Sequence, residues 1–176
     1  MDGLKTNSSK NKHVQKSFWS IYQRIVFRNY YFSIYRDFYM RLLLFARGAS
    51  MIAILASTGI LVAFCNNDMV RYICPTIIVI AQIMQTIMDK LPINQRSIEC
   101  REASLQYYDL QVDAERFWLQ IASHKCSNEE IIKGVSFFGK QIVKIEKAYF
   151  INDVLPESKR ITKKASEECS RYLSLR

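Results

Sequence analysis

Two long apolar segments without charge dominate the hydrophobic pattern of this chain. Residues 48–67 and residues 72–88 contain no Asp, Glu, Lys or Arg, and they are 20 and 17 residues long. Helices of about this length cross a hydrocarbon core of about 30 Å at a rise of about 1.5 Å per residue. The pattern therefore predicts a two-helix transmembrane hairpin over residues 48–90. Two helices buried in a protein core are the alternative, above all for the shorter segment.

Apolar positions after this hairpin recur with the spacing of packed helices. Two series advance by alternating steps of four and three residues, the a/d pattern of helices that pack along a seam. Ser127 and Glu130 lie between the series with the spacing of a capping box. The series are Ala103, Tyr107, Leu110, Ala114, Phe117 and Ile121, and then Ile131, Val135, Phe138, Ile142, Ile145 and Tyr149. Residues 91–176 are therefore predicted to form a cytoplasmic helical hairpin or bundle in an all-α protein.

Prolines mark two expected helix boundaries in this region. Pro92 is expected to break or kink the chain where it leaves the membrane, because proline lacks a backbone donor. Pro156 suits the first turn of a further helix, where the missing N–H has no intrahelical partner in any case.

The N-terminal part of the chain divides into a polar stretch and an aromatic, basic helix. Residues 1–16 are predicted to be a flexible basic terminus. Residues 17–47 hold ten aromatic residues within their first 23 positions and suit a helix at the membrane interface. Packing of these aromatics against the cytoplasmic helices is the alternative, left open. The candidate interface residues are Trp19, Tyr22, Arg24, Arg28, Arg36, Arg41 and Arg47.

Charge is distributed unevenly along the chain. The net charge of +9 arises mainly before residue 48, where nine Lys/Arg face two acids, whereas the loop between the apolar segments holds one basic residue, Arg71. The positive-inside rule then places both termini in the cytoplasm. Aromatic and Arg side chains also suit nucleic acids, but their proximity to the first apolar segment favours a lipid bilayer as partner, and no nucleic acid is expected.

Polar residues form one line along the second apolar segment. On a helix, Arg71, Pro75, Ile78, Gln82, Gln85 and Asp89 share one face, with Thr86 at its edge. Amides exposed to lipid would lose their hydrogen bonds to water, so these side chains are expected to face protein or water. They either join neighbouring helices or line a pore formed by several copies, with Asp89 favouring cations at its mouth. A pore requires a homo-oligomer.

Small residues in the first apolar segment suit close helix packing. They are Ala49, Ala53 and Ser57 at intervals of four, with Gly59 and Ala63 as a second set. Cys65 and Cys74 flank the external loop and suit a disulfide in an oxidising periplasm, although small membrane-embedded residues are the alternative. The chain has no metal-ligand spacing, phosphate-binding loop or catalytic triad pattern, so neither metal, cofactor nor enzymatic activity is expected.

The order of these segments resembles a known family of membrane effectors. The aromatic, basic helix "FWSIYQRIVFRNYYFSIYRDFYMRLLLFARGAS" precedes a tight two-span hairpin and a cytoplasmic helical bundle. This layout is similar to that of the SLATT family, over residues 18–149. The resemblance implies an oligomeric effector of bacterial antiphage defence that permeabilises the inner membrane when a nucleotide signal or a partner protein activates it.

The resemblance also bears on control and on the competing functions. It transfers no catalytic residues, and no nucleotide-sensing domain is evident in the sequence. Control by a separately encoded nucleotide-signalling enzyme or sensor protein, or by the cytoplasmic helices, is therefore expected. The alternatives are a non-conducting membrane anchor or scaffold whose cytoplasmic coiled coil recruits a partner, and a regulatory subunit of a transporter.

Overall fold

The structure is a computed structural model of the 176-residue chain. It describes residues 3–57, 76, 79–80, 82–83, 86, 93–150, 155 and 158–175. Four continuous helices and no strand occur in this described part, which confirms the all-α class there. The helices are α1 (Gly3–Ser57), α2 (Ile93–Ala122), α3 (Asn128–Phe150) and α4 (Lys159–Ser174).

Helix α1 is 55 residues long and crosses both boundaries that the sequence suggested. Residues 3–16, within the terminus predicted to be flexible, are helical and belong to α1. The first proline in the chain is Pro75, so no residue between Gly3 and Ser57 lacks a backbone donor. A change from polar to apolar side chains at residue 48 alters the surroundings that the helix prefers but does not interrupt its backbone hydrogen bonds.

Helices α2 and α3 form the predicted helical hairpin. Helix α2 ends in a Schellman arrangement, because the His124 N–H donates to Ile121 O and the Lys125 N–H donates to Gln120 O, both at 3.0 Å. His124 takes the left-handed conformation that this ending requires, with φ of 55°. The reversal places the apolar series of the two helices in one core.

The capping box at the start of α3 is confirmed. The Glu130 N–H donates to Ser127 Oγ at 3.3 Å, and the Ser127 N–H donates to Glu130 Oε2 at 2.7 Å. The Ser127 hydroxyl also donates to the same carboxylate oxygen at 2.9 Å. These bonds lower the pKa of Glu130, because the backbone N–H and then the hydroxyl of Ser127 stabilise its ionised form.

Helix α4 begins at Lys159 in the described part of the chain. Its N-cap is Ser158, which has extended backbone angles, and Lys159 is the first helical residue. Pro156, predicted in the first turn of a further helix, lies outside the described residues. The extended conformation of Ser158 accounts for the start, since the residue before a helix lies outside helical angles.

The chain forms two compact units. The first consists of Met1–Tyr35 together with Glu99–Arg176, and the second of Arg36–Ile98. In the first unit the predicted seam forms the core, because nine of its twelve residues are buried and the other three are half-buried. The half-buried ones are Phe117, Val135 and Tyr149.

An aromatic cluster joins α1 to the α2–α3 hairpin. Phe18 is fully buried, and the centre of its ring lies 5.0 Å from that of Phe117 and 5.6 Å from that of Phe138, both edge-on. Gly134 of α3 lies so close to Phe117 that an added Cβ would stand 2.4 Å from the ring atom Cε1. The aromatic rings therefore fill the space between three helices at close contact.

A chain of polar side chains crosses the interface between α1 and α2. The Asn29 amide donates to Gln111 Oε1 at 2.9 Å, and the Ser104 hydroxyl donates to Asn29 Oδ1 at 3.3 Å. Ser104 and Gln111 are buried, at 6% and 7% exposure. Because buried amides are costly when unpaired, these bonds specify which residues of α1 and α2 lie opposite each other.

Candidate functional site

The second unit exposes large apolar side chains on two sides of α1. Phe38, Phe45 and Ile52 follow helical spacing on one side, and all are at least half exposed. Met40, Leu44, Met51 and Ile54 are exposed on another side of the same helix. A helix that is apolar on several sides is normally covered by other helices or by lipid.

Exposed apolar residues also surround Gln82, a member of the predicted polar line. Val79, Ile80 and Ile83 are exposed, and so are Gln82 and Thr86. The Thr86 hydroxyl donates to the Gln82 backbone carbonyl at 2.9 Å, which gives it a partner within its own helical turn, as threonine often has in helices. This arrangement suits a helix in surroundings of low polarity.

Most of the other residues of the predicted pore line and hairpin lie outside the described part of the chain. Among the candidates, this applies to Gln85, Asp89, Gly59 and Ala63, and to the side chains of Ala53 and Ser57, while Ala49 is half-buried. Cys65 and Cys74, considered for a disulfide, also lie outside it.

The predicted membrane spans, residues 48–67 and 72–88, lie mostly outside the described part. Within the described stretches, no helix combines the length and the apolar character that a membrane crossing requires.

Two of the predicted interface aromatics lie in the helical bundle of the first unit. Tyr22 is 1% exposed, and the ring of half-buried Trp19 lies 4.9 Å from that of Trp118 on α2, centre to centre. The packing alternative therefore describes these two residues, because Tyr22 is buried and the ring of Trp19 contacts α2. The sequence did not reveal that Trp118 is the partner of Trp19, since the two residues lie 99 positions apart.

The predicted interface arginines have different surroundings. Arg24 and Arg28 contact Glu146 Oε1 on α3 at 3.6 and 3.1 Å, and these three side chains are partly exposed. Arg36 pairs with the neighbouring Asp37 at 2.8 Å. Arg41 and Arg47 are exposed on the second unit. Arg24, Arg41 and Arg47 are thus exposed to solvent, as expected of interface residues, whereas Arg28 and Arg36 are half-buried.

Tyr107 and Glu146 form a polar site in the first unit that the sequence did not identify. The Tyr107 hydroxyl is fully buried and has no hydrogen-bond partner in the described part of the chain. Burial raises the pKa of Tyr107, and the charge of Glu146 raises it further, while Arg28 and Arg24 act in the opposite direction. Tyr107 lies in the apolar series, which is typical of a core residue, so the sequence did not indicate that charged side chains lie near it.

An open groove of about 480 Å³ lies on the α2–α3 hairpin. Phe117, Phe137 and Phe138 line its apolar part, and Arg116 and Lys133 belong to its charged rim. Gly134 contributes to the groove because it has no side chain. No group of three or more His, Cys, Asp or Glu in the described residues is placed to hold a metal ion.

Comparison of the chain with profiles of known protein families, with curated proteins and with solved structures found no match.

Proposed function

We propose that this protein is an oligomeric membrane effector of bacterial antiphage defence. The second unit inserts into the inner membrane with both termini in the cytoplasm, and on activation several copies permeabilise or depolarise that membrane. A nucleotide signal or a separately encoded partner protein supplies the trigger. The helical bundle of the first unit receives it.

The exposed apolar side chains of the second unit carry this proposal. Phe45, Met51 and Ile52 on α1 and Ile80 and Ile83 further along are all more than half exposed. Each fully buried side chain of this kind contributes about 1.5–3 kcal/mol relative to its exposed state. Lipid tails and neighbouring copies are the surroundings that would cover so many of them.

Polar groups within the same apolar surface support a conducting role over simple anchoring. Gln82 and Thr86 are exposed among Val79, Ile80 and Ile83. A ring of Gln82 and Gln85 side chains from several copies would give water and ions a polar path. The resemblance to the SLATT family supports the antiphage context of this activity.

Membrane potential and growth of bacteria test this function. Cells expressing the wild type should lose membrane potential and stop growing when challenged with phage. Gln82→Leu/Gln85→Leu should abolish both effects at equal protein level, because leucine removes the polar path but keeps the helix apolar. Gln15→Leu/Gln23→Leu, on α1 of the first unit, is the matched control and should behave as wild type.

Two results contradict the proposal. One is an active Gln82→Leu/Gln85→Leu variant, which would make both glutamines packing residues. The other is a wild type that never depolarises the membrane, even under phage challenge.

The groove on α2 and α3 favours a second function, that of a non-conducting anchor whose helical bundle recruits a partner. Phe137 is exposed at this groove beside the charged Arg116 and Lys133, a mixture of apolar and charged groups that suits protein contacts. For this function, Phe137→Ser should abolish partner recruitment in pull-down from membranes, while Gln82→Leu/Gln85→Leu should have no effect.

A further inference from the structure

Helix α3 presents a face of lysines and apolar residues to solvent. Phe137, Lys140, Lys144 and Lys147 follow one another at steps of three, four and three residues, and Val143 lies beside them. All five are exposed. We call these five residues the outer face of α3.

This face carries positive charge without a compensating acid. The three acids of α3 are engaged elsewhere. Glu129 pairs with Lys133 at 2.9 Å, Glu130 belongs to the capping box, and Glu146 contacts the arginines of α1. In the described part of the chain, Lys140, Lys144 and Lys147 have no carboxylate within ion-pair distance. The outer face therefore attracts anionic surfaces.

Two apolar side chains stand among these lysines without cover. Phe137 is 53% exposed and Val143 is 46% exposed, while the adjacent Phe138 is 5% exposed. The centre of the Phe137 ring lies 5.3 Å from that of the buried Phe138, edge-on, so this contact restrains the exposed ring. Lysines together with fixed apolar anchors are typical of helices that lie in the headgroup layer of a membrane.

The other basic helix lacks this combination. Lys159, Arg160, Lys163 and Lys164 of α4 are all exposed, but no large apolar side chain is exposed among them. Helix α4 therefore offers charge alone, and it serves as an internal comparison for α3.

We propose that the outer face of α3 binds the surface of anionic phospholipid bilayers. The lysines contact the headgroups, and Phe137 and Val143 enter the boundary between headgroups and acyl chains. Lysine suits this role because its ammonium group is a compact charge on a long apolar stem. A single-stranded nucleic acid is disfavoured, since its bases stack on several aromatic side chains and this face has one. The proposal goes beyond membrane permeabilisation and does not require it.

Amine acetylation followed by mass spectrometry tests the proposal on the full chain. The protein is reconstituted in vesicles of phosphatidylcholine, or of phosphatidylcholine and phosphatidylglycerol in equal amounts. The reactivity of Lys140, Lys144 and Lys147 should fall about fivefold in the anionic vesicles. This is the factor expected when each lysine makes about one contact with an anionic headgroup. Lys163 and Lys164 on α4 should react equally in both. High salt should restore the reactivity, because it screens exposed charges.

A lipid carrying a photoreactive acyl chain adds a test of the apolar anchors. In anionic vesicles the wild type should crosslink within the tryptic peptides that hold Phe137 and Val143. Lys140→Gln/Lys144→Gln/Lys147→Gln should reduce this yield about a hundredfold, on the order of fivefold for each lysine. The control Lys159→Gln/Lys163→Gln/Lys164→Gln removes the same charge from α4 and should keep the crosslink.

Each alternative result overturns the proposal. Equal lysine reactivity in both vesicles would exclude binding to anionic lipid. Protection that appears only after adding single-stranded RNA or an acidic protein would assign the face to that partner instead. Lysine protection without crosslinking would exclude the apolar anchors. Neither measurement depends on conductance, so a failure of this proposal can be distinguished from a failure of the proposed membrane permeabilisation.

Discussion

Replacing Gly134 by alanine should destabilise the first unit, although alanine favours helices. The added Cβ would lie 2.4 Å from Cε1 and 2.7 Å from Cζ of the Phe117 ring, well inside van der Waals contact. The ring cannot turn away freely, because Phe18 packs against it at 5.0 Å and Phe138 at 6.0 Å, centre to centre. Overpacking of this kind costs about 1–3 kcal/mol.

Gly139 of the same helix provides the matched control. A Cβ added there would have no atom within 4 Å. Gly139→Ala should therefore stabilise the protein by up to about 1 kcal/mol, the gain in helix propensity. Gly134→Ala has the same gain and the additional clash, so its net effect should be a loss of about 0–2 kcal/mol.

The difference between the two variants isolates the contact with Phe117. At about 2–4 °C per kcal/mol for a chain of this size, the midpoint of Gly134→Ala should lie about 2–12 °C below that of Gly139→Ala. Thermal unfolding of the full chain in mild detergent, followed by far-ultraviolet circular dichroism, measures both. A Gly134→Ala variant as stable as Gly139→Ala would show that the ring of Phe117 moves without cost.

Two further predictions concern the hairpin and the buried tyrosine of the first unit. Ser127→Ala should lower the free energy of unfolding by about 1 kcal/mol, because it removes the N-cap of α3; Ser136→Ala, at an exposed position within α3, is the control. Since the cap lowers the pKa of Glu130, the wild type should lose this advantage as acid protonates Glu130. Equal stability of both variants near neutral pH would refute the cap. Tyr107→Phe should be neutral or stabilise by about 1 kcal/mol, because it removes a buried hydroxyl without a partner. Because the pKa of Tyr107 is raised in the folded protein, the wild type should lose stability as pH rises above about 10, the pKa of tyrosine in the unfolded chain. In unfolding by denaturant, the stability advantage of Tyr107→Phe should therefore be larger at alkaline than at neutral pH. An advantage that does not change with pH would contradict the raised pKa.

The α2–α3 hairpin was predictable because its determinants are local. The spacing of apolar residues fixes which side of each helix is buried, and Ser127 and Glu130 are three residues apart. The helical start of the chain has a local cause as well. A polar composition suggested flexibility for residues 1–16, yet nothing in that stretch prevents a helix, and α1 begins at Gly3.

The features that the sequence did not reveal depend on residues far apart in the chain. Asn29 and Gln111 are separated by 82 residues, and neither differs by spacing from an ordinary surface amide. From the sequence alone, Gly134 is an ordinary glycine within a helix, and only the structure shows that Phe117 packs against it. For the pore candidates, the spacing of Gln82 and Thr86 was predictable from the sequence, and the structure adds their exposure among apolar neighbours.

The bond between Asn29 and Gln111 limits how α1 can move. Sliding α1 along α2 by one helical turn, about 5.4 Å, would separate the two amides and leave Gln111 unpaired at a buried position. A buried polar group without a partner costs about 1–3 kcal/mol. Axial sliding is therefore opposed by a discrete barrier, whereas a small tilt of α1 about this bond keeps it intact. Within the first unit, α1 can therefore pivot against α2 more easily than it can change its register with α2.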